Sequence, residues 1–217
     1  MPIIFTLSAL FFLFLLIRLS LAKNPKKRFL IKSVACFHFV LLGILASSNN
    51  LVRLADLFIL IGLIVSFMGD IALGLKHRFK IALPLGILFF AGAQIFYILH
   101  FGVNELTLYL MIPFGMLMFL FGYRAYHSNK YDFNGLNIPV AVYACLMTFT
   151  LVASVTHYRE LPLLSSQLSM FGIVLFFISD FTLVHVYFYQ KKSKTLVVLY
   201  LTCYHIGQLL IALSLWY

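Results

Sequence analysis

Eight long apolar runs, separated by short polar punctuation, occupy almost the whole of this 217-residue chain. They cover roughly 2–22, 31–49, 54–75, 81–101, 106–126, 138–157, 166–189 and 195–216. A hydrocarbon core of about 30 Å is crossed by about 20 apolar residues in a helix. Lipid offers the backbone no hydrogen-bond partner, so runs of this length form helices that satisfy their own peptide groups. The fold class that follows is all-α: a polytopic membrane protein of eight transmembrane helices, one helical domain over residues 1–217. A hydrophobic fraction of 63 % and a charged fraction of 10 % exclude an ordinary soluble domain. The first run ends in Ser20-Leu21-Ala22, which resembles a cleavage site, but no basic residue precedes it and it is long. It reads as a retained helix.

The net charge of +10 is explained by where the basic residues lie, and not by nucleic-acid binding. Arg18, Lys23, Lys26, Lys27, Arg28 and Lys32 surround the first connection, and Lys76, Arg78 and Lys80 fill the third. Arg124 and Lys130 flank the fifth, and Lys191, Lys192 and Lys194 the seventh. Of the 16 basic residues, only Arg53 and Arg159 are left for the opposite side. This positive-inside pattern turns those four connections to the cytoplasm and both termini outward. The same connections attract anionic headgroups at about 1 kcal/mol per basic residue. The compactness of the chain favours a bacterial inner membrane. Cys36, Cys145 and Cys203 all fall inside apolar runs without ligand spacing, so they read as small core residues, with no metal site and no disulfide.

Two of the six acidic residues, Asp70 and Asp180, lie inside apolar runs, whereas Asp56, Glu105, Asp132 and Glu160 fall in connections or near run ends. An ionisable group at membrane depth costs at least ~2.5 kcal/mol on the insertion scale, which makes each a functional candidate. The two occur in related settings. Gly62, Phe67, Gly69, Asp70 and Leu73 recur, at an offset of 110 residues, as Gly172, Phe177, Ser179, Asp180 and Leu183. The offset is half the chain and suggests two parallel four-helix repeats, 1–104 and 105–217, with a site at their interface. Chance similarity between apolar helices is the plainer account.

Depth follows from helical rise. Asp70 precedes Lys76 by about 9 Å and Asp180 precedes Lys191 by about 16 Å, so Asp180 lies nearer the midplane. Ser66, Gln94, Tyr97, Tyr143, Ser179, Tyr204 and Gln208 are further polar groups inside the runs. Ser66 and Asp70 share a helix face, as do Tyr204 and Gln208. Such spacing assembles a polar cavity in a bundle, or else supplies interhelical hydrogen bonds with no chemistry.

With these residues in view the chain resembles the lysoplasmalogenase (YhhN-type) membrane family over most of its length. The resemblance rests on Gly62-Leu63, Ser66 and Gly69-Asp70 in the third run, and on Gly86, Phe90, Ala93 and Tyr97 in the fourth. It continues with Pro139-Val140 and Tyr143, then Gly172, Phe176 and Ser179-Asp180, then Tyr204 and Gln208. Lys32 stands where the family often has a lysine, although Ser33 follows it where the family often has proline. Gln94 stands where the family usually has histidine.

The resemblance implies a hydrolase that cleaves the vinyl ether bond of a lysoplasmalogen to a fatty aldehyde and a glycerophospho-alcohol, without metal or other cofactor. Protonation of carbon gives an oxocarbenium ion, water captures it, and the hemiacetal collapses. This chemistry calls for one protonated carboxyl and one carboxylate, states that burial and a neighbouring acid can produce together. Asp180, the deeper, is assigned as acid and Asp70 as base. Ser66, Gln94, Tyr97, Tyr143, Ser179, Tyr204 and Gln208 are expected to bind substrate or support the pair. Lys32, together with the basic connections, is expected to hold the lysophospholipid phosphate, or else to snorkel to the interface. The rival functions are a proton-coupled transporter, which also uses buried aspartates, and a non-catalytic lipid-binding membrane protein.

Overall fold

The computed structural model describes residues 2–21, 25–49, 54–191 and 193–217. Ala22, Lys23, Arg53 and Lys192, used above for processing and sidedness, lie outside the described residues, as does the side chain of Lys26. The described residues form eight α-helices, all long and apolar enough to cross a membrane, and no strand. They are α1 (Pro2–Leu21), α2 (Pro25–Asn49), α3 (Leu54–Gly74) and α4 (Ala82–Phe101), then α5 (Glu105–Tyr126), α6 (Asn137–Glu160), α7 (Leu164–Phe188) and α8 (Lys194–Leu213). A short 3-10 turn, Ser214–Trp216, follows.

Two boundaries extend three or more residues beyond the hydropathy reading. Helix α2 begins at Pro25 rather than near residue 31, because proline suits the first helical position and Lys and Arg favour helix. Helix α6 runs on to Glu160, where the His157 Nδ1 lies 3.0 Å from the Phe101 carbonyl and ties its last turn to the end of α4. Apolarity marks where lipid begins, and backbone hydrogen bonding carries the helix beyond it.

Helices α2, α3, α4, α6, α7 and α8 form a closed ring, each packed on the next, and α3 also meets α8 across it. Helix α1 lies against α2 and α8, and α5 leans on α6. These two peripheral helices bury little: Leu7, Phe11 and Phe14 on α1, and Tyr109, Ile112 and Phe119 on α5, stay exposed as an apolar outer surface suited to acyl chains. The buried residue of α5 is Thr107, whose hydroxyl meets that of Thr156 on α6 at 2.7 Å. Cys36 and Cys203 are buried as expected, but Cys145 is exposed on α6. An apolar residue in a membrane protein need not face the core, because the lipid side is equally apolar.

Lipid tails compete with side chains for apolar contact, so helices here gain by close van der Waals approach. The glycines provide it. A Cβ on Gly172 would come within 2.8 Å of the Gly207 carbonyl oxygen, and one on Gly207 equally close to the Gly172 carbonyl. This brings α7 and α8 into backbone contact. Gly62 does the same for a side chain: a Cβ there would run into the ring of Tyr97. At the end of the bundle that carries most basic residues, the connection after α5 is tied to the end of α7. Asp132 donates its N–H to the Phe188 carbonyl at 2.9 Å, and Gln190 donates to the Lys130 carbonyl at 3.0 Å.

Candidate active site

The polar groups inside the ring fall into two subsites. In the first, Lys32 of α2 reaches Asp70 of α3, with Nζ 2.7 Å from Oδ1. The other oxygen accepts a hydrogen bond from the Tyr204 hydroxyl of α8 at 2.5 Å. Asp70 is only 3 % exposed, so its charge is met by protein groups rather than by water. Four residues past Tyr204, on the same face of α8, Gln208 Oε1 accepts from the Tyr97 hydroxyl of α4 at 3.2 Å. The two helix-face pairings read from spacing, Ser66 with Asp70 and Tyr204 with Gln208, both point inward.

The second subsite belongs to α6 and α7. The Tyr143 hydroxyl donates to Asp180 Oδ2. Among the described residues no cation is paired with Asp180. Asp180 and Tyr143 line a cleft whose remaining wall is almost wholly apolar: Leu73, Leu83, Ile87, Phe90, Val140, Leu183, Val184, Tyr187 and Phe188. Leu73, Leu83, Val140 and Phe188 sit at helix ends on the basic side, so the cleft runs from that end inward to Asp180.

No hydrogen bond or ion pair among the described residues joins the two carboxyl groups. An aromatic group lies at both subsites instead. The Phe90 ring packs edge-on against Tyr204 and Phe176, with centroids 6.0 and 6.2 Å away, and Phe90 also lines the Asp180 cleft. Ser179, grouped with the site by sequence, donates to the Tyr200 carbonyl at 3.0 Å and so fastens α7 to α8 next to Asp180. Lys32, expected either at the lipid phosphate or snorkelling to the interface, is paired with Asp70.

Sequence reasoning passed over His205. It is buried beside Tyr204, with Nδ1 2.8 Å from the Leu201 carbonyl. That contact makes Nδ1 the protonated nitrogen, which leaves Nε2 to accept from the Cys36 thiol at 3.6 Å. Cys36 is one helical turn beyond Lys32, and that spacing was the available signal. Also unforeseen were the outer partners. Arg28 donates to the Tyr200 hydroxyl at 2.8 Å, and the Lys76 ammonium stands 3.3 Å from the centroid of the Tyr187 ring, which lines the cleft.

Compared with known proteins, the chain is matched by the YhhN family model over residues 27–215, nearly all of α2 to α8. No curated protein and no solved structure matches it.

Proposed function

The chain belongs to the YhhN family, and we propose that it is an intramembrane hydrolase of lysoplasmalogens, splitting the vinyl ether to a fatty aldehyde and a glycerophospho-alcohol. The observation that carries this reading is a buried carboxyl, Asp180, hydrogen-bonded to Tyr143 at the inner end of an apolar cleft, with a second carboxyl nearby that has its own cation. An ionised carboxylate without a cation is expensive to bury. Asp180 is therefore suited to the neutral, proton-donating form, and Asp70, facing Lys32, to the carboxylate form.

In this mechanism the alkenyl chain lies along Ile87, Val140, Leu183 and Val184. Asp180 transfers its proton to the outer vinyl carbon, whose π pair forms the new C–H bond and leaves an oxocarbenium ion. Water adds to the cationic carbon and gives up one proton to Asp70. The neutral hemiacetal then collapses: the Asp180 carboxylate takes its hydroxyl proton, the carbon–oxygen bond to glycerol breaks, and protonated Asp70 supplies the departing oxygen. Both carboxyls return to their starting states, and one water is consumed. Lys76, poised over Tyr187, and Arg28 are the cations placed to meet the phosphate, with Lys32 kept as the counter-ion of Asp70. Tyr143 and Tyr204 orient the two acids, Tyr97 and Gln208 brace the wall behind them, and Ser179 holds α7 on α8.

The test uses purified protein in detergent with a lysoplasmalogen and its saturated ether analogue. Aldehyde from the vinyl form alone, without any gradient, is the expected result. A carrier would need two compartments and a lipid-binding protein would release none, so absence of aldehyde overturns the proposal.

A further inference from the structure

Within the ring, Ser66 Oγ, both amide atoms of Gln94 and the Gln208 amide nitrogen are buried and make no well-formed hydrogen bond to protein. All three residues are 0 % exposed, so lipid and bulk solvent are equally out of reach. Leaving such a group unpaired is costly, and these atoms come from three different helices. They are also neighbours. Gln208 is joined to Tyr97, Ser66 lies beside the same tyrosine hydroxyl, and Gln94 lies beside the Tyr143 hydroxyl that serves Asp180. On the other flank, Gln208 is one turn from Tyr204, which serves Asp70. The unpaired atoms thus form a layer one helical turn farther from the basic end than Asp70, Phe90 and Tyr204. They offer both donors and acceptors and carry no charge, which suits them to hold water.

We infer that Ser66, Gln94 and Gln208, with the Tyr97 hydroxyl, form a built water site one turn behind Asp70 and Tyr204, and that it holds the water consumed in the reaction. This rests on the hydrolase reading above. The held oxygen bonds to the oxocarbenium carbon, one of its protons passes to Asp70, and the other stays on the hemiacetal hydroxyl. Gln94, Gln208 and Ser66 are positioning residues, because they act through the water. Gln94 suits this task, since an amide presents a donor and an acceptor together at every pH.

Two measurements test the inference separately from the reaction. In bilayers with 15N-labelled protein, magnetisation transferred from water should reach the side-chain amides of Gln94 and Gln208, and the Gln208 signal should fall in Gln94→Leu. In activity assays run in aqueous methanol, the wild type should give aldehyde almost alone. Gln94→Leu and Gln208→Met should lose about 100-fold in rate, the scale of a misplaced reactant. They should also divert product to the methyl acetal, in which methanol has captured the cation. A merely structural defect lowers the rate without changing that product ratio. Gln94→His should recover activity and make it dependent on pH, which keeps the test open if Gln94→Leu fails to fold. Aldehyde release with no water transfer to either amide, or with equal acetal fractions in wild type and variants, overturns the water site and leaves the hydrolase reading intact. Water transfer without aldehyde from any vinyl ether overturns the catalytic role together with that reading.

Discussion

Lys32 and Asp70 form an ion pair across α2 and α3 in which Nζ and Oδ1 are 2.7 Å apart, and both side chains are withdrawn from solvent, at 13 % and 3 % exposed. The pair fixes which part of α2 meets α3, and it frees the Asp180 subsite from supplying a cation. Tyr204 completes the arrangement by donating to the second oxygen, so three helices meet at one carboxylate.

Breaking this pair from one side should destabilise the bundle more than removing it whole. A lone buried charge costs about 3–5 kcal/mol once its partner is gone. Lys32→Met should therefore lower Tm sharply in detergent, and the Lys32→Met/Asp70→Asn double variant should melt above Lys32→Met. Additive losses in Tm would show that the pair is solvated and of little energetic weight.

The two acids should separate by kinetics. Asp180→Asn removes the proton for carbon, and Asp70→Asn removes the base for water. Each should lower aldehyde release by about 100-fold or more, the lower end for a lost general acid or base. Tyr143→Phe keeps the acid and loses only its orienting hydroxyl, so a smaller loss is expected. Steady-state rates on one vinyl ether substrate check the order, and wild-type activity in either Asn variant removes that residue from the mechanism.

Much of this was legible before the fold. Helix number followed from run length, because lipid leaves the backbone no alternative. The inward faces of Ser66, Asp70, Tyr204 and Gln208 followed from helical spacing. Partner choice was not legible. Nothing in the sequence says that Lys32 goes to Asp70 while Asp180 goes to Tyr143, since that depends on which helices adjoin in the ring. The lipid-facing position of Cys145 was equally hidden, because composition cannot distinguish a lipid face from a core face. The two segments that carry Asp70 and Asp180 have like neighbours, in that α3 packs on α4 as α7 packs on α8.

The matching glycines of those two segments do different work, and substitution should reveal it. A methyl at Gly172 meets backbone, the Gly207 carbonyl, and can be accommodated only by moving α7 off α8. Gly172→Ala should lower Tm markedly. A methyl at Gly62 meets the ring of the buried Tyr97, which must shift to make room. Gly62→Ala should lower Tm less than Gly172→Ala and lose activity as Tyr97 leaves Gln208. Equal effects of the two on Tm and on rate would refute the distinction.

The basic connections predict the sidedness by the positive-inside pattern. Reporter fusions should place both termini outside and the connections after α3 and α7 in the cytoplasm, the basic side from which the cleft runs inward. A cytoplasmic C-terminal reporter would invert the topology and put the cleft mouth on the outer leaflet.

The last expectation concerns chain length. The cleft wall of Ile87, Val140, Leu183 and Val184 is apolar, but the substrate arrives from a bilayer that is equally apolar. Moving a methylene from lipid to cleft gains almost nothing, whereas moving it from water gains about 0.8 kcal/mol, close to a fourfold change in KM. For short, water-soluble vinyl ethers KM should thus fall about fourfold with each added methylene. For bilayer-borne substrates KM, in mole fraction, should be nearly flat with length. Val140→Trp, which narrows the cleft beside Tyr143, should raise KM in both series without changing which bond is cut. A steep length dependence inside bilayers would mean that the chain is drawn into an aqueous site, contrary to the cleft described here.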